Sequence, residues 1–151
     1  MRRDIALFLG LVAIICGGVI ATAFFLFASD GGGNGPCDQP LPPRGESEIS
    51  QTGFQAEDAG LTSVIDAASA RDLLAAHNAF FGDVRVFTYD VDQPLRDVDE
   101  GLAKELCEAV NEVEEEITVN QRADRVAIET TRVRELIGDA AEALGYARPG
   151  E

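Results

Sequence analysis

The residues with the clearest capacity for chemistry lie in one acidic run, Tyr89-Asp-Val-Asp-Gln-Pro-Leu-Arg-Asp-Val-Asp-Glu100. Its carboxylates at Asp90, Asp92, Asp97 and Asp99 are hard oxygen donors, and at the C-terminal end of a strand they would suit Ca²⁺ or Mg²⁺. The spacing departs from an EF-hand loop, because Pro94 and Leu95 stand where a further ligand and a glycine belong. Asp97 and Asp99 also suit the first turn of a helix, where the macrodipole favours negative charge.

Other reactive residues are few. His77 is the single histidine, near the expected C-terminal end of a helix, where an imidazole complements exposed carbonyls. No Gly-x-Ser-x-Gly, His-Glu-x-x-His or Cys-x-x-Cys accompanies it, so no catalytic residue and no cofactor site is assigned. The glycines at 31–35 lack the Gly-Lys-Ser/Thr of a phosphate loop and the strand that should precede it. Cys37 and Cys107 would both face an oxidising exterior and are candidates for a disulfide, with Cys107 as a small buried hydrophobe the alternative. Asn-x-Ser/Thr acceptors are absent.

The elements that position these residues begin with Ile5–Ala28, 24 residues without a charge. As a helix it would extend about 36 Å, enough to cross a bilayer with some tilt. Arg2 and Arg3 precede it and the next basic residue is Arg44, so the positive-inside rule keeps residues 1–4 cytoplasmic and sends the remainder out. Ala21-Thr-Ala23 resembles a signal-peptide cleavage site, but apolar residues continue through Phe27, which favours an uncleaved anchor. Ala6, Gly10, Ala13, Gly17 and Ala21 share one face of that helix, a geometry that permits close self-association or pairing with another helix. Residues 29–56, rich in glycine and proline, read as a flexible stalk leading to an acidic soluble domain at 57–151.

Within that domain, Val84–Val91 is rich in β-branched and aromatic residues and bounded by Gly82 and Pro94, which predicts a strand. A helix from Ser69 to Phe81 is expected before it. Ala103, Leu106, Val110, Val113 and Ile117 follow spacings of three and four, predicting an amphipathic helix from Val98 to about Ile117. Residues 125–131 alternate like a second strand, with a helix from Arg132 to Leu144 ending at Gly145, and Leu61–Ile65 would supply a third strand. The expected fold is thus an N-terminal transmembrane helix plus a small α/β domain of two or three strands and three helices. The alternative is an all-α domain ending in a helical hairpin over 98–145, because Val126, Thr130, Val133, Ile137, Ala140 and Leu144 also form a helical stripe.

Charge narrows the function. The net charge of -15 comes from 27 acidic and 12 basic residues, of which only Lys104 is lysine. Such a surface repels nucleic acid and anionic headgroups, and the arginine-over-lysine bias with abundant carboxylates fits a halophilic source. The expectation is a membrane-anchored, non-enzymatic interaction or envelope protein with an extracytoplasmic acidic domain, paired with another membrane or envelope protein. A small-ligand or cation sensor using the 90–100 loop is the alternative.

Overall fold

The computed structural model describes residues 35–45 and 47–150. The membrane-span expectation for 5–28, with its small-residue face, lies outside these residues. Among the described residues no helix is long and apolar enough to cross a membrane.

Among the described residues five α-helices follow one another: α1 Gln51–Ser69, α2 Leu73–Ala79, α3 Arg85–Val98, α4 Glu100–Glu115 and α5 Ala123–Ala143. The α/β expectation is therefore corrected. Among the described residues there is no strand, and the fold is the all-α alternative.

Each corrected strand has a physical reason. Val84, Phe87, Val91 and Leu95 are buried at spacings of three, four and four, so 84–91 buries one helical face within and just ahead of α3. Its β-branched content reflects packing against neighbours, a preference that context overrides. Residues 125–131 lie inside α5, where Val126, Thr130, Val133, Ile137 and Ala140 are all buried. The helical stripe outweighs the short alternating run because it continues for four turns. Leu61–Ile65 lies within α1, whose buried positions Phe54, Glu57, Leu61, Val64 and Ala68 step by three and four.

The helix ends are set by local hydrogen bonds. Ser50 caps α1 by accepting from the Gly53 amide at 3.2 Å. Arg71, at φ 61°, turns the chain out of α1, and Asp72 then caps α2 by accepting from Ala75 N at 3.0 Å. Ser69, expected to start that helix, is the last residue of α1. Phe80–Val84 forms a wide π-type turn, kinked at Gly82, which joins α2 to α3. Asp99 caps α4 by accepting from Leu102 N at 2.9 Å. Gly145, at φ 85°, closes α5, with Tyr146 N donating to Ala141 O at 2.8 Å.

α1 and α4 pack on α5, α3 packs on α4, and α2 with its following turn lies against α1. Phe54 sits at a junction in this bundle: its ring is 5.1 Å from Phe87 of α3, edge-on, and 5.3 Å from Tyr146 of the tail. The Tyr146 hydroxyl donates to Ile49 O at 2.9 Å, while Gln51 and Ala147 exchange hydrogen bonds at 2.8 and 3.1 Å. The C-terminal tail is thereby held against the start of α1. Phe54 is fully buried, and truncating a core phenylalanine to alanine costs about 3–5 kcal/mol.

Candidate functional site

The carboxylates singled out as cation ligands sit on the helical scaffold, not on a loop after a strand. Asp90 and Asp92 lie on α3, at 5% and 2% exposure, under residues 36–45 and Ser47, which form a strap across the helix. Asp90 Oδ1 accepts from the amides of Arg44 at 2.6 Å and Gly45 at 2.7 Å, and its Oδ2 from Ser47 N at 2.8 Å. Asp92 Oδ2 accepts from Leu41 N and from Arg96 Nε, both at 2.8 Å. Arg96 also donates to Cys37 O at 2.8 Å.

The strap needs these acceptors. Prolines at 40, 42 and 43 lack an N–H, and a segment without helix or ladder must satisfy its remaining amides elsewhere. Carboxylates on α3 meet them through charge-assisted bonds. Asp97 is used differently, accepting from Gln93 Nε2 at 2.9 Å, and Asp99 is the α4 cap. The four do not converge on one point. Among the described residues no group of three or more His, Cys, Asp or Glu could hold a metal ion.

The strap is also covalently held. Cys37 and Cys107 form a disulfide across a sequence separation of 70, both 2% exposed, with Asn111 Nδ2 3.1 Å from Cys37 Sγ. Asp38 and Lys104 pair beside it. The compact unit thus begins at Pro36, within the segment expected to be stalk, and α1 begins at Gln51. His77 is exposed in the last turn of α2, its ring centroid 4.5 Å from that of Phe81.

What the sequence reading did not locate is a groove of about 690 Å³ along α1. One wall is α1 itself, where Thr52, Ala56, Gly60 and Ser63 step up the helix by four, four and three. The facing wall is Ala79, Gly82, Val86 and Phe87, and Ser47 with Glu48 closes one end. Two glycines shape it. A Cβ on Gly53 would fall 2.0 Å from the Glu48 carbonyl oxygen, and one on Gly60 would lie 3.0 Å from Val84 Cγ2. Glu57, 3% exposed, lines the groove from the buried row of α1. The four-residue recurrence of small side chains was the available signal, but it straddles the boundaries of the expected stalk and third strand.

A second carboxylate arrangement lies across α4 and α5. Partial desolvation and a hydrogen bond with the buried Glu129 push the Glu112 carboxyl above its ordinary value, against the pull of Arg132 and Arg125. Glu116, hydrogen-bonded to Arg122, is held below its ordinary value. These groups brace the hairpin, together with Arg132 between Glu105 and Glu112.

No relative identifies the chain. No family model matches it, and comparison with curated proteins and with solved structures gives no match. The functional reading therefore rests on the geometry above.

Proposed function

We propose that this chain is a non-enzymatic, membrane-anchored interaction protein whose acidic helical unit binds another membrane or envelope protein outside the cytoplasm. The observation that carries the reading is the open groove on α1, a recessed surface on a unit in which Asp90 and Asp92 are engaged with the strap and Glu105 with Arg132. The uncharged run 5–28, preceded by Arg2 and Arg3, supports anchoring with the C-terminal unit outside. The Cys37–Cys107 disulfide supports the same compartment, since such bonds persist where the surroundings are oxidising.

The sensor alternative loses its proposed loop, because residues 90–98 are helical and Asp90 and Asp92 accept hydrogen bonds from the strap. Protein binding is the reading that uses the surface present. The test is chemical crosslinking in native membranes followed by mass spectrometry, with an impermeant protease applied to intact cells. The expected result is one reproducible protein adduct and removal of the acidic unit from outside. An acidic unit protected in intact cells but cut after lysis would refute the extracytoplasmic placement.

A further inference from the structure

We propose that the strap of residues 36–45 and Ser47 is a redox latch: the Cys37–Cys107 disulfide holds it on α3, and reduction of that bond by a dithiol lets it open while the helices stay packed. The strap is separable because it brings little to the core. Of its described residues Cys37 alone is buried, while Gln39, Pro40, Pro42, Pro43, Arg44 and Gly45 are exposed, and the apolar cluster between the helices contains none of them. Polar contacts hold it instead: amides donated to Asp90 and Asp92, the Arg96 bond to Cys37 O, the Asp38–Lys104 pair, and the Arg44 guanidinium 4.7 Å over the Tyr89 ring. α1, α3, α4 and α5 pack on one another without it. A segment of this kind can leave a folded unit by local opening.

The disulfide decides how readily these contacts part. While it is closed, the strap is fixed at both ends, to α4 through Cys37 and to α1 from Gln51, so an opened strap remains a short closed loop over residues 38–50. Opening then regains little chain entropy. With Cys37 free, only the α1 end is fixed, and the entropy released for a loop of roughly fifteen residues favours opening by about a hundredfold.

The bond lies shallow enough for exchange. Both cysteines are buried, but Pro36 next to Cys37, and Lys104, Glu108 and Asn111 around Cys107 on α4, are exposed. Asn111 Nδ2 is 3.1 Å from Cys37 Sγ and 3.8 Å from Cys107 Sγ, so its donor favours the strap sulfur as the leaving group. A reductant thiolate attacks Cys107 Sγ, the S–S bond breaks, and Cys37 departs as a thiolate that takes a proton. The second thiol of the reductant then displaces Cys107 from the mixed disulfide. The protein gains two electrons and two protons, and the dithiol ends as a disulfide. Opening uncovers Asp90, Asp92 and Arg96 on α3, and it removes Ser47 from the end of the α1 groove.

The test is residue-resolved hydrogen exchange on the full chain in detergent micelles, oxidised and then reduced with dithiothreitol. Reduction should speed exchange of the Leu41, Arg44, Gly45 and Ser47 amides by about a hundredfold. The amides of Val133 and Ile137, buried in α5, should stay slower than those of the strap by at least about tenfold. Cys37→Ser without reductant should reproduce the fast strap rates. Strap exchange that is unchanged on reduction or in Cys37→Ser overturns the proposal, because the contacts with α3 then hold the segment alone. Equal rates for strap and α5 amides in the reduced chain also overturn it, since the bond is then a staple for the whole fold; a reduced chain or variant that fails to fold gives this result. So does a disulfide that dithiothreitol reaches only in denaturant.

Discussion

Arg96 joins two parts of the chain that are distant in sequence, donating from Nε to Asp92 Oδ2 at 2.8 Å and from Nη2 to the Cys37 carbonyl at 2.8 Å. Its side chain is 7% exposed and that of Asp92 is 2% exposed, so the pair is largely removed from water. Arg96→Met should destabilise the protein by about 3–5 kcal/mol, because it leaves the Asp92 carboxylate buried without its cation. Asp92→Asn combined with Arg96→Met should recover part of that loss, and chemical denaturation of the four proteins measures the coupling. Additive losses would show that the two residues act independently.

The disulfide closes a covalent loop over the sequence separation of 70. In the chain-entropy model a loop of that size stabilises by roughly 4 kcal/mol, by restricting the unfolded ensemble. The chain contains three cysteines, Cys16, Cys37 and Cys107. Denatured without reductant, it should show one reactive thiol, and with reductant three. The reduced protein should unfold at distinctly lower denaturant concentration, and Cys107→Ser should match it. Three reactive thiols before reduction would show that the bond does not form.

Thr130 is a polar residue in an apolar environment. Its side-chain hydroxyl is fully buried in α5 and has no hydrogen-bond partner among the described residues. Thr130→Val keeps the shape and removes the unmet desolvation, so it should stabilise by about 1–2 kcal/mol. The measurement is the midpoint of denaturant unfolding. A loss of stability would mean that the hydroxyl makes a contact on which the core depends.

Glu112 and Glu116 should respond to pH in opposite senses. The Glu112 carboxyl is raised by desolvation and by Glu129, so its ionised form opposes folding above its folded-state pKa, and that opposition fades as pH falls. Glu116 is lowered by its hydrogen bond with Arg122, so its contribution is present above the unfolded carboxyl value of about 4.3 and is lost as pH falls. Thus Glu112→Gln should raise the melting temperature at pH 7, with the gain shrinking toward pH 4. Glu116→Gln should lower it at pH 7, with the deficit shrinking on acidification. Thermal melts across this range check both, and parallel curves for the two variants would contradict the assignment.

Several elements were legible before any packing was known. Ala103, Leu106, Val110, Val113 and Ile117 step by three and four, and all five are buried on α4 and the turn after it. Gly145 ends the last helix as expected, because a left-handed residue at that point needs no side chain. Patterns of this kind are local, carried by periodicity and turn chemistry alone.

What only the tertiary structure decided is whatever depends on a partner distant in the chain. Val84–Val91 has the composition of a strand, yet a helical stripe prevails because α3 packs on α4 and buries Val84, Phe87, Val91 and Leu95 in the shared core. Asp90 and Asp92 have the composition of a cation site, but the amides of Leu41, Arg44, Gly45 and Ser47 reach their oxygens first. The groove beside Glu57 has walls from α1 and from residues 79–87, which no spacing within either segment brings together. Sequence by itself determined the charge, the uncharged N-terminal run and the helical periods, since each is a property of neighbouring residues. Folding decided which carboxylates are consumed and which surface stays open, because hydrogen-bond satisfaction and burial are settled only when the helices meet.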